Sequence, residues 1–443
     1  MDPNSSSLNN SSNNITGGGV KKIQDMKLII EILVNDQCSI SFDELRKHYL
    51  VKLYAQFELN RSQLIKQIKR HGYLSIGSAD DHMAIDRVSV YCNRSIQMLE
   101  LLSEQEISAY VQFERSSVFF YKQYKEGASN EELFEDVGSG EQTVSPYQQW
   151  VLPNIEFATL WDNLIYDDSV KERLLSYAST ILLFSSAKVD SNIVSNNKIV
   201  LLTGPPGSGK TSLAKALSQK LAIRHSDRYA YPQLIEINSH SLFSKWFSES
   251  GKLVMKVFEK IREILDDPSC FVTLLIDEVE SLAAARTAAL SGSEPTDSIR
   301  VVNAFLTQLD QIKSYPNLLI VATSNLTTAI DLAFIDRADL KLFIGPPSLS
   351  ARKRILKSID KELMDKGILY ANQPIDKKQQ KALRSSIYTS TNGFSGRSLR
   401  KLPFLSVANY QTKSLEFPIP LAEYQIELNE LIQREKEFNK VIV

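Results

Sequence analysis

The sequence contains few cysteines, no long apolar segment and no apolar leader. Its three cysteines, Cys38, Cys92 and Cys270, lie far apart without metal-ligand spacing, which predicts buried thiols in a reducing compartment. No apolar run approaches the roughly 20 residues that a membrane-spanning helix requires, so no membrane association is expected. Residues 1–19 are rich in Ser, Asn and Gly, which predicts a disordered tail rather than a secretory signal and favours the cell interior.

The chain also has almost no net charge, because 51 basic and 52 acidic residues leave a balance of −1. A chain this neutral has no global attraction to nucleic acid, so direct nucleic-acid binding is not expected. There is no Asn-Lys-x-Asp segment of the kind that recognises guanine, which excludes a small GTPase. Apolar content of 43% is typical of a soluble protein with a sizeable core.

One stretch carries a specific chemical signal. A strand-like apolar run over 199–203 leads into a glycine-rich loop that ends in Lys210-Thr211, and a helical pattern follows at once. This is the G-x-x-x-x-G-K-[ST] motif, whose backbone N–H groups cradle phosphates while the Lys reaches the β- and γ-phosphates. The predicted ATP-contacting residues are Gly204, Pro205, Pro206, Gly207, Ser208, Gly209, Lys210, Thr211 and Ser212. The alternative is a glycine-rich turn that carries Lys-Thr by chance.

Two acidic residues follow the third strand-like run of this region. Asp277 at the carboxyl end of a buried strand is placed, with the Thr211 hydroxyl, to hold Mg²⁺. Glu278 is placed to take a proton from the attacking water. Asp-Glu pairs after apolar strands also occur by chance, but the phosphate-loop motif favours the catalytic interpretation.

Three further residues are candidates for the same site. Asn325 ends the fourth strand-like run and can orient the water against the γ-phosphate. Arg337, before the fifth run, can reach a neighbouring subunit's γ-phosphate as an arginine finger, and Arg397 can fold over its own subunit's nucleotide. The alternatives are that Asn325 is an ordinary turn residue and that Arg337 and Arg397 each form a surface salt bridge.

The hydrophobic pattern predicts an α/β fold in which a five-stranded parallel sheet flanked by helices is followed by a small helical lid. A mixed α+β domain precedes it, although apolar residues close to helical spacing (Ile23, Met26, Ile30, Leu33, Val34) predict that it begins with a helix. The predicted organisation is a tail over 1–19, an N-terminal domain over 20–124, an acidic flexible linker over 125–149, a large subdomain over 150–346 and a lid over 347–443.

Together these motifs resemble those of AAA+ ATPases. Three stretches, 235–252, 275–310 and Phe394-Ser-Gly-Arg-Ser-Leu-Arg-Lys-Leu-Pro403, are similar to the pachytene checkpoint protein two family, called thyroid receptor-interacting protein thirteen in vertebrates. Ile165 and Tyr166, before the first helix of the large subdomain, complete the set of expected nucleotide contacts.

This resemblance implies a homohexameric ring that hydrolyses ATP to convert HORMA-domain proteins from closed to open states, through a comet-type adaptor. The resemblance also implies a role in meiotic chromosome-axis and recombination-checkpoint control and in the spindle checkpoint. The expected location is the nucleus and chromosomes, and also the cytoplasm or kinetochore in mitosis.

An aromatic pair, Trp246-Phe247, lies between the second strand-like run and the next helical pattern, among small and polar residues. In a ring of this fold that loop faces the pore, where aromatic side chains can grip a polypeptide by apolar contact. The alternative is a pair packed into the core.

Two other functions are less consistent with the sequence. A nucleotide-locked scaffold is disfavoured by the intact Glu278, Asn325 and both arginines, which an inactive ATPase could lose. A clamp-loader-like DNA machine is disfavoured by the neutral charge and the aromatic pair.

Overall fold

The structure is a computed structural model of the chain. It describes residues 27–71, 73–77, 84–92, 99, 102–111, 115–129, 147–167, 169–190, 192–239, 250–283, 297–325, 330–371, 377–414 and 417–442. The chain divides into two compact units, Met1–Gln123 and Tyr124–Val443. Among these residues no helix is both long and apolar enough to cross a membrane.

The first unit is built on a four-stranded mixed sheet of β1 (Leu28–Val34), β2 (Tyr73–Gly77), β3 (Ile85–Cys92) and β4 (Ser117–Tyr121), in the order β2-β3-β1-β4. Its helices are α1 (Phe42–Leu59), α2 (Arg61–His71) and α3 (Glu104–Tyr110). β1 pairs antiparallel with β3 and parallel with β4, so it is a central strand. The mixed α+β prediction is confirmed for this unit.

The prediction of an opening helix is wrong over Leu28–Val34. This segment is almost continuously apolar and buried, with five of its seven residues in the buried class. A central strand with one face buried and the other largely covered gives such a run, and a few apolar residues also fall by chance at helical spacing.

The second unit contains a six-stranded sheet in the order β10-β6-β9-β8-β7-β5. Its strands are β5 (Tyr147–Val151), β6 (Ile199–Thr203), β7 (Gln233–Asn238), β8 (Val272–Asp277), β9 (Leu318–Ser324) and β10 (Leu340–Phe343). The five predicted strands are parallel to their neighbours. The sixth, β5, is an additional antiparallel edge strand on β7.

The interval 125–149 differs from the predicted flexible linker at both of its described ends. Ser129 and Gln149 exchange backbone hydrogen bonds of 2.8 and 3.1 Å, and Tyr124 donates to the Pro153 carbonyl at 2.8 Å. Gln149 belongs to β5. The apolar Tyr147 and Trp150 anchor that strand, because both are buried, and the many acidic and small residues of 125–146 obscured this short pattern.

Helices lie between successive strands of this sheet along the chain. They are α4 (Leu160–Asn163), α5 (Val170–Ser186), α6 (Lys210–Arg224), α7 (Ser250–Leu265), α8 (Asp297–Ile312) and α9 (Leu332–Arg337). α7 and α8 cover one region of the sheet through the core, where Phe258 and Phe305 meet edge to face at 5.4 Å. Burial of such side chains contributes about 25 cal/mol per Å² of apolar surface.

The lid contains α10 (Leu349–Asp365), α11 (Lys377–Ser390), α12 (Gly396–Lys413) and α13 (Leu421–Ile442). This agrees with the small helical lid that the sequence predicts. A short parallel pair, β11 (Leu369–Tyr370) and β12 (Ile419–Pro420), was not predicted because two-residue strands leave no periodic signal. The lid has a core of its own around Tyr424, which is fully buried.

Candidate active site

The predicted site residues lie along one edge of the large sheet, where three adjacent parallel strands end. β6, β9 and β8 are neighbours in the sheet, and Thr203 is in register with Ser324 while Ile276 is in register with Ala322. The phosphate loop, Asn325 and Asp277 therefore leave the sheet side by side. Ligands of open α/β sheets bind at this carboxyl edge.

The phosphate loop has a backbone that requires glycine at two packed positions. A Cβ on Gly204 would lie 2.1 Å from the Ile344 carbonyl oxygen. Gly207 has a φ of +76°, and a Cβ there would lie 2.8 Å from the Ser395 hydroxyl of the lid. The loop is therefore held between the end of β10 and the start of α12.

Lys210, the first residue of α6, is only 5% exposed and faces the loop that precedes it. Its Nζ donates to the carbonyls of Gly204 at 2.8 Å and Pro205 at 3.0 Å, and to Asn325 Oδ1 at 2.8 Å. Burial lowers the pKa of Lys210, and the nearby Glu280 and Asp277 carboxylates oppose that shift. The ammonium is thus held by neutral oxygens, which phosphate oxygens can replace.

The predicted metal-binding pair is already in contact. Thr211 Oγ1 donates to Asp277 Oδ1 at 2.9 Å, and the Thr323 hydroxyl donates to the same oxygen. A hydroxyl and a carboxylate this close match the oxygen ligands that Mg²⁺ takes beside a triphosphate. The buried Ser208 hydroxyl makes no hydrogen bond to any described residue, so the loop also retains an unpaired donor.

Glu278 occupies a strained backbone position beside this pair. Its φ is +60°, a left-handed conformation that costs a non-glycine residue about 1–2 kcal/mol. β9 supports the turn, because the backbone N–H of Val279 donates to the Thr323 carbonyl at 3.0 Å. Within the described chain nothing hydrogen-bonds to the Glu278 carboxylate, which leaves it available to a water. Strain of this kind is common where a side chain must be aimed.

Asn325 connects Lys210 to a carboxylate that the sequence reasoning missed. Its side-chain oxygen accepts from Lys210, and its backbone N–H donates to Glu280 Oε1 at 3.2 Å. The other oxygen, Glu280 Oε2, is buried and unpaired among the described residues. The only available signal was a second Glu two positions after Glu278, which by itself is an ordinary surface pattern.

The segment before α5 lies against the loop from the other side. The Tyr166 hydroxyl donates to the Gly209 carbonyl at 3.3 Å, and burial raises the pKa of this phenol. Ile165 is half-buried beside it. Arg400 of α12 donates to the Asn163 carbonyl, so the lid also contacts this segment.

The start of α12 sits directly on the phosphate loop. The backbone N–H of Arg397 donates to the Gly207 carbonyl at 3.1 Å, while Ser395 caps the helix by accepting from the Ser398 N–H. The Arg397 side chain is exposed and makes no hydrogen bond within the described residues. The structure thus places Arg397 at the loop with its guanidinium unpaired.

Arg337 is not part of this cluster. It ends α9, where its Nε and Nη2 donate to Asp310 of α8 at 3.2 and 2.8 Å and its Nη1 donates to the Ala333 carbonyl at 2.6 Å. Within the described chain it has no hydrogen bond to a phosphate-loop residue. The Asp310 partner was also missed by sequence reasoning, because the two residues are 27 positions apart.

The remaining predicted residues fall into two groups. Pro205, Pro206 and Ser212 lie in the loop or the first turn of α6 and are half-buried or exposed. Trp246 and Phe247 lie outside the residues that the structure describes.

Comparisons with known proteins agree with this geometry. The family model of ATPases associated with various cellular activities matches residues 200–346, and the model of the TRIP13-like AAA+ ATPase lid C-terminal domain matches 377–436. The chain is 48% identical over 354 residues to the Pachytene checkpoint protein 2 homolog of Arabidopsis thaliana, covering 74% of each.

Two solved structures are also similar. C. elegans PCH-2 is 32% identical with a TM-score of 0.72, over 93% of this chain and 99% of that one. A chain of the E. coli MS115-1 HORMA:CdnC:Trip13 complex shares the fold, at 21% identity and a TM-score of 0.51 over 65% of this chain and 94% of that one. The chain therefore belongs to the pachytene checkpoint protein 2 family of AAA+ ATPases and is an ATP-hydrolysing enzyme.

Proposed function

We propose that this enzyme assembles as a homohexameric ring and uses ATP hydrolysis to convert HORMA-domain proteins from closed to open states, with a comet-type adaptor. The observation that carries the proposal is the 48% identity to a pachytene checkpoint protein 2 homologue over 74% of the chain. The E. coli neighbour, which was solved in a complex with a HORMA protein, supports the same partner class.

ATP binding would use groups that the chain now pairs internally. The Lys210 ammonium would exchange the Gly204 and Pro205 carbonyls for β- and γ-phosphate oxygens, with a gain from charge pairing. The loop N–H groups and the Ser208 hydroxyl would take the other oxygens. Ile165 and Tyr166, whose hydroxyl contacts the Gly209 carbonyl, would contact the nucleoside end.

Thr211 and Asp277 are the residues that would hold Mg²⁺ in this site. When bound, the ion would neutralise charge on the β- and γ-phosphates. The Thr323 hydroxyl would then hold the Asp277 carboxylate in place from β9, because it donates to the same oxygen as Thr211.

Hydrolysis would use the remaining groups. Glu278 would accept a proton from the attacking water, and Asn325 would orient that water from the adjacent strand. Arg397 would bind phosphate oxygens of its own subunit's nucleotide. Arg337 would stabilise the transition state in a neighbouring subunit, since it lies away from its own loop.

The mechanical output would be movement of Trp246 and Phe247 in the pore. The lid contacts the loop at Gly207, so nucleotide exchange would alter this contact and each cycle would shift the subunits relative to one another. The pathway would be meiotic chromosome-axis, recombination-checkpoint and spindle-checkpoint control, in the nucleus and on chromosomes and in the cytoplasm or at the kinetochore in mitosis.

The test is a conversion assay with the purified chain, ATP, a closed HORMA-domain protein and its adaptor. Wild type is expected to accumulate the open form, and Trp246→Ala is expected to keep ATP binding but lose conversion. Phe438→Ala, which removes an aromatic ring that is 61% exposed on α13, is the matched control and should convert normally. Conversion at the wild-type rate by Trp246→Ala would rule out the pore role. Failure of wild type to convert any HORMA substrate would rule out the partner class.

A further inference from the structure

The side chain of Arg337 is fixed by a carboxylate of its own subunit. Asp310 accepts from Nε at 3.2 Å and from Nη2 at 2.8 Å, which is the two-point arrangement that orients a planar guanidinium. The Ala333 carbonyl accepts from Nη1 at 2.6 Å. These three bonds set both the position and the plane of the group.

The pairing leaves part of the guanidinium available. Arginine has five N–H donors, and the three hydrogen bonds seen here use one each on Nε, Nη1 and Nη2. One N–H on each terminal nitrogen therefore has no partner within the described residues. The Arg337 side chain is 28% exposed, and these two N–H groups form the free edge of its guanidinium.

The two helices that carry the pair are rigidly anchored. Leu309 and Ile312 flank Asp310 on α8 and are buried in the large core, and Phe334 of α9 is buried in the same core. Asp310 is thus a fixed point rather than a mobile surface acid. A fixed partner restricts the long Arg337 side chain before any substrate arrives.

The charge balance between Arg337 and Asp310 determines whether the guanidinium still attracts a phosphate. The Arg337 guanidinium lowers the pKa of Asp310, so this carboxylate stays ionised at neutral pH. At 37% exposure it is partly screened by water and neutralises only part of the arginine charge. A triphosphate carries more negative charge than one carboxylate, so the free edge remains attractive to it.

We propose that Asp310 is a positioning residue for the arginine finger: it holds Arg337 with two N–H groups directed toward the γ-phosphate bound by a neighbouring subunit. This inference rests on the proposed trans role of Arg337. It assigns Asp310 a function in a site whose phosphate loop belongs to another copy of the chain.

The test uses mixed rings in which each functional group comes from a known subunit. Arg337→Ala subunits supply an intact phosphate loop, and Lys210→Ala subunits supply an intact finger, so their mixture should recover ATPase activity. Placing Asp310→Asn in the Lys210→Ala subunit should reduce that recovery by about tenfold in kcat. KM for ATP should not change, because the nucleotide binds to the other subunit.

Lys313→Ala in the same Lys210→Ala background is the matched control. Lys313 Nζ lies 3.4 Å from Asp310 Oδ1, so this change removes the other cation from the same carboxylate and should leave the recovery intact. Asp310→Glu keeps the charge and should recover more activity than Asp310→Asn. Thermal unfolding and ring formation of each subunit are measured alongside.

The outcomes of this experiment distinguish the trans role of Arg337 from the positioning role of Asp310. If the Arg337→Ala and Lys210→Ala mixture does not recover, the trans finger is wrong and the inference falls with it. If that mixture recovers and well-folded Asp310→Asn recovers equally, Asp310 does not position the finger. If Asp310→Asn recovers more activity, the carboxylate competes with phosphate, which also overturns the proposal.

Discussion

Two regions of the second unit hold charged and polar side chains in opposite ways. At the carboxyl edge of the large sheet, Lys210, Asp277 and Asn325 converge from adjacent elements and contact one another or the loop. On α8 and α9, Arg337 and Asp310 form a partly exposed pair, and within the described chain neither side chain hydrogen-bonds to the phosphate loop. The first region can bind a nucleotide with its own residues, whereas the second holds a partly exposed arginine.

The difference is what the proposed shared site requires, because each chain would supply both halves of a reaction centre. The sheet edge is self-contained because parallel strands bring their ends together in one place. The α8–α9 surface has no phosphate loop of its own chain within hydrogen-bond reach among the described residues. In the proposed ring, its arginine would act on a phosphate loop that another subunit supplies.

The largest expected effect is at the sheet edge, in Glu278→Gln. Hydrolysis should fall by about 1000-fold, because the amide cannot take the proton from water, while ATP binding is kept. Turnover is measured with saturating ATP, and binding by fluorescent-nucleotide titration. Glu263→Gln, an exposed acid on α7, is the control. Wild-type turnover by Glu278→Gln would remove the catalytic-base assignment.

Lys210→Ala should weaken ATP binding by about 100-fold. The change removes a charged hydrogen-bonding group, worth about 1.5–3 kcal/mol, from a site where it is 5% exposed. Lys260→Ala, an exposed lysine on α7 that pairs with Glu263, should bind ATP as wild type does. Equal affinities for the two variants would contradict the phosphate role of Lys210.

Gly207→Ala should disturb the contact between the loop and the lid. The new methyl group would lie 2.8 Å from Ser395 Oγ on a backbone with a φ of +76°, so the loop and the start of α12 must separate. ATP affinity should fall by about tenfold, with a loss of about 1 kcal/mol in stability. Gly367→Ala has a similar φ of +71° but open space around it, and should show only the stability loss. Matching nucleotide affinities in the two variants would show that the close approach is unimportant.

The smallest effect should come from the lid, in Asp360→Asn. Burial raises the pKa of Asp360 to about 6, although Arg384 and Gln425 oppose the shift. The unfolded chain therefore loses this proton at lower pH than the folded chain, and Asp360 increasingly destabilises the lid as pH rises from about 4 to above 6. The Asn variant should be more stable by about 1–2 kcal/mol at pH 8 and by almost nothing at pH 4. A gain that is equal at both pH values would rule out ionisation as the cause.

The sequence predicted best where local patterns and a motif coincide. Apolar runs located all five parallel strands. The motif at Lys210-Thr211 indicated that further site residues follow the neighbouring strands, and the parallel topology places the ends of those strands beside the phosphate loop. Charge obscured β5, since the acidic residues around it outweighed a five-residue strand. The nearly continuous apolar run of β1 also placed apolar residues close to helical spacing.

Contacts between residues that are distant in sequence could not be predicted, for a different reason. Asp310 meets Arg337, and Glu280 meets Asn325, because of how whole elements pack. Neither pair has a characteristic spacing or an unusual residue type. The backbone hydrogen bond from Arg397 to Gly207 has no side-chain signature at all.

The most direct test of the shared site is the ATPase activity of Arg337→Ala mixed with Lys210→Ala, each inactive alone. Random assembly at equal amounts should make about one quarter of the interfaces complete, with an intact loop facing an intact finger. Activity should therefore rise toward about one quarter of wild type. A mixture that stays as inactive as its components, in rings shown to exchange subunits, would contradict the account.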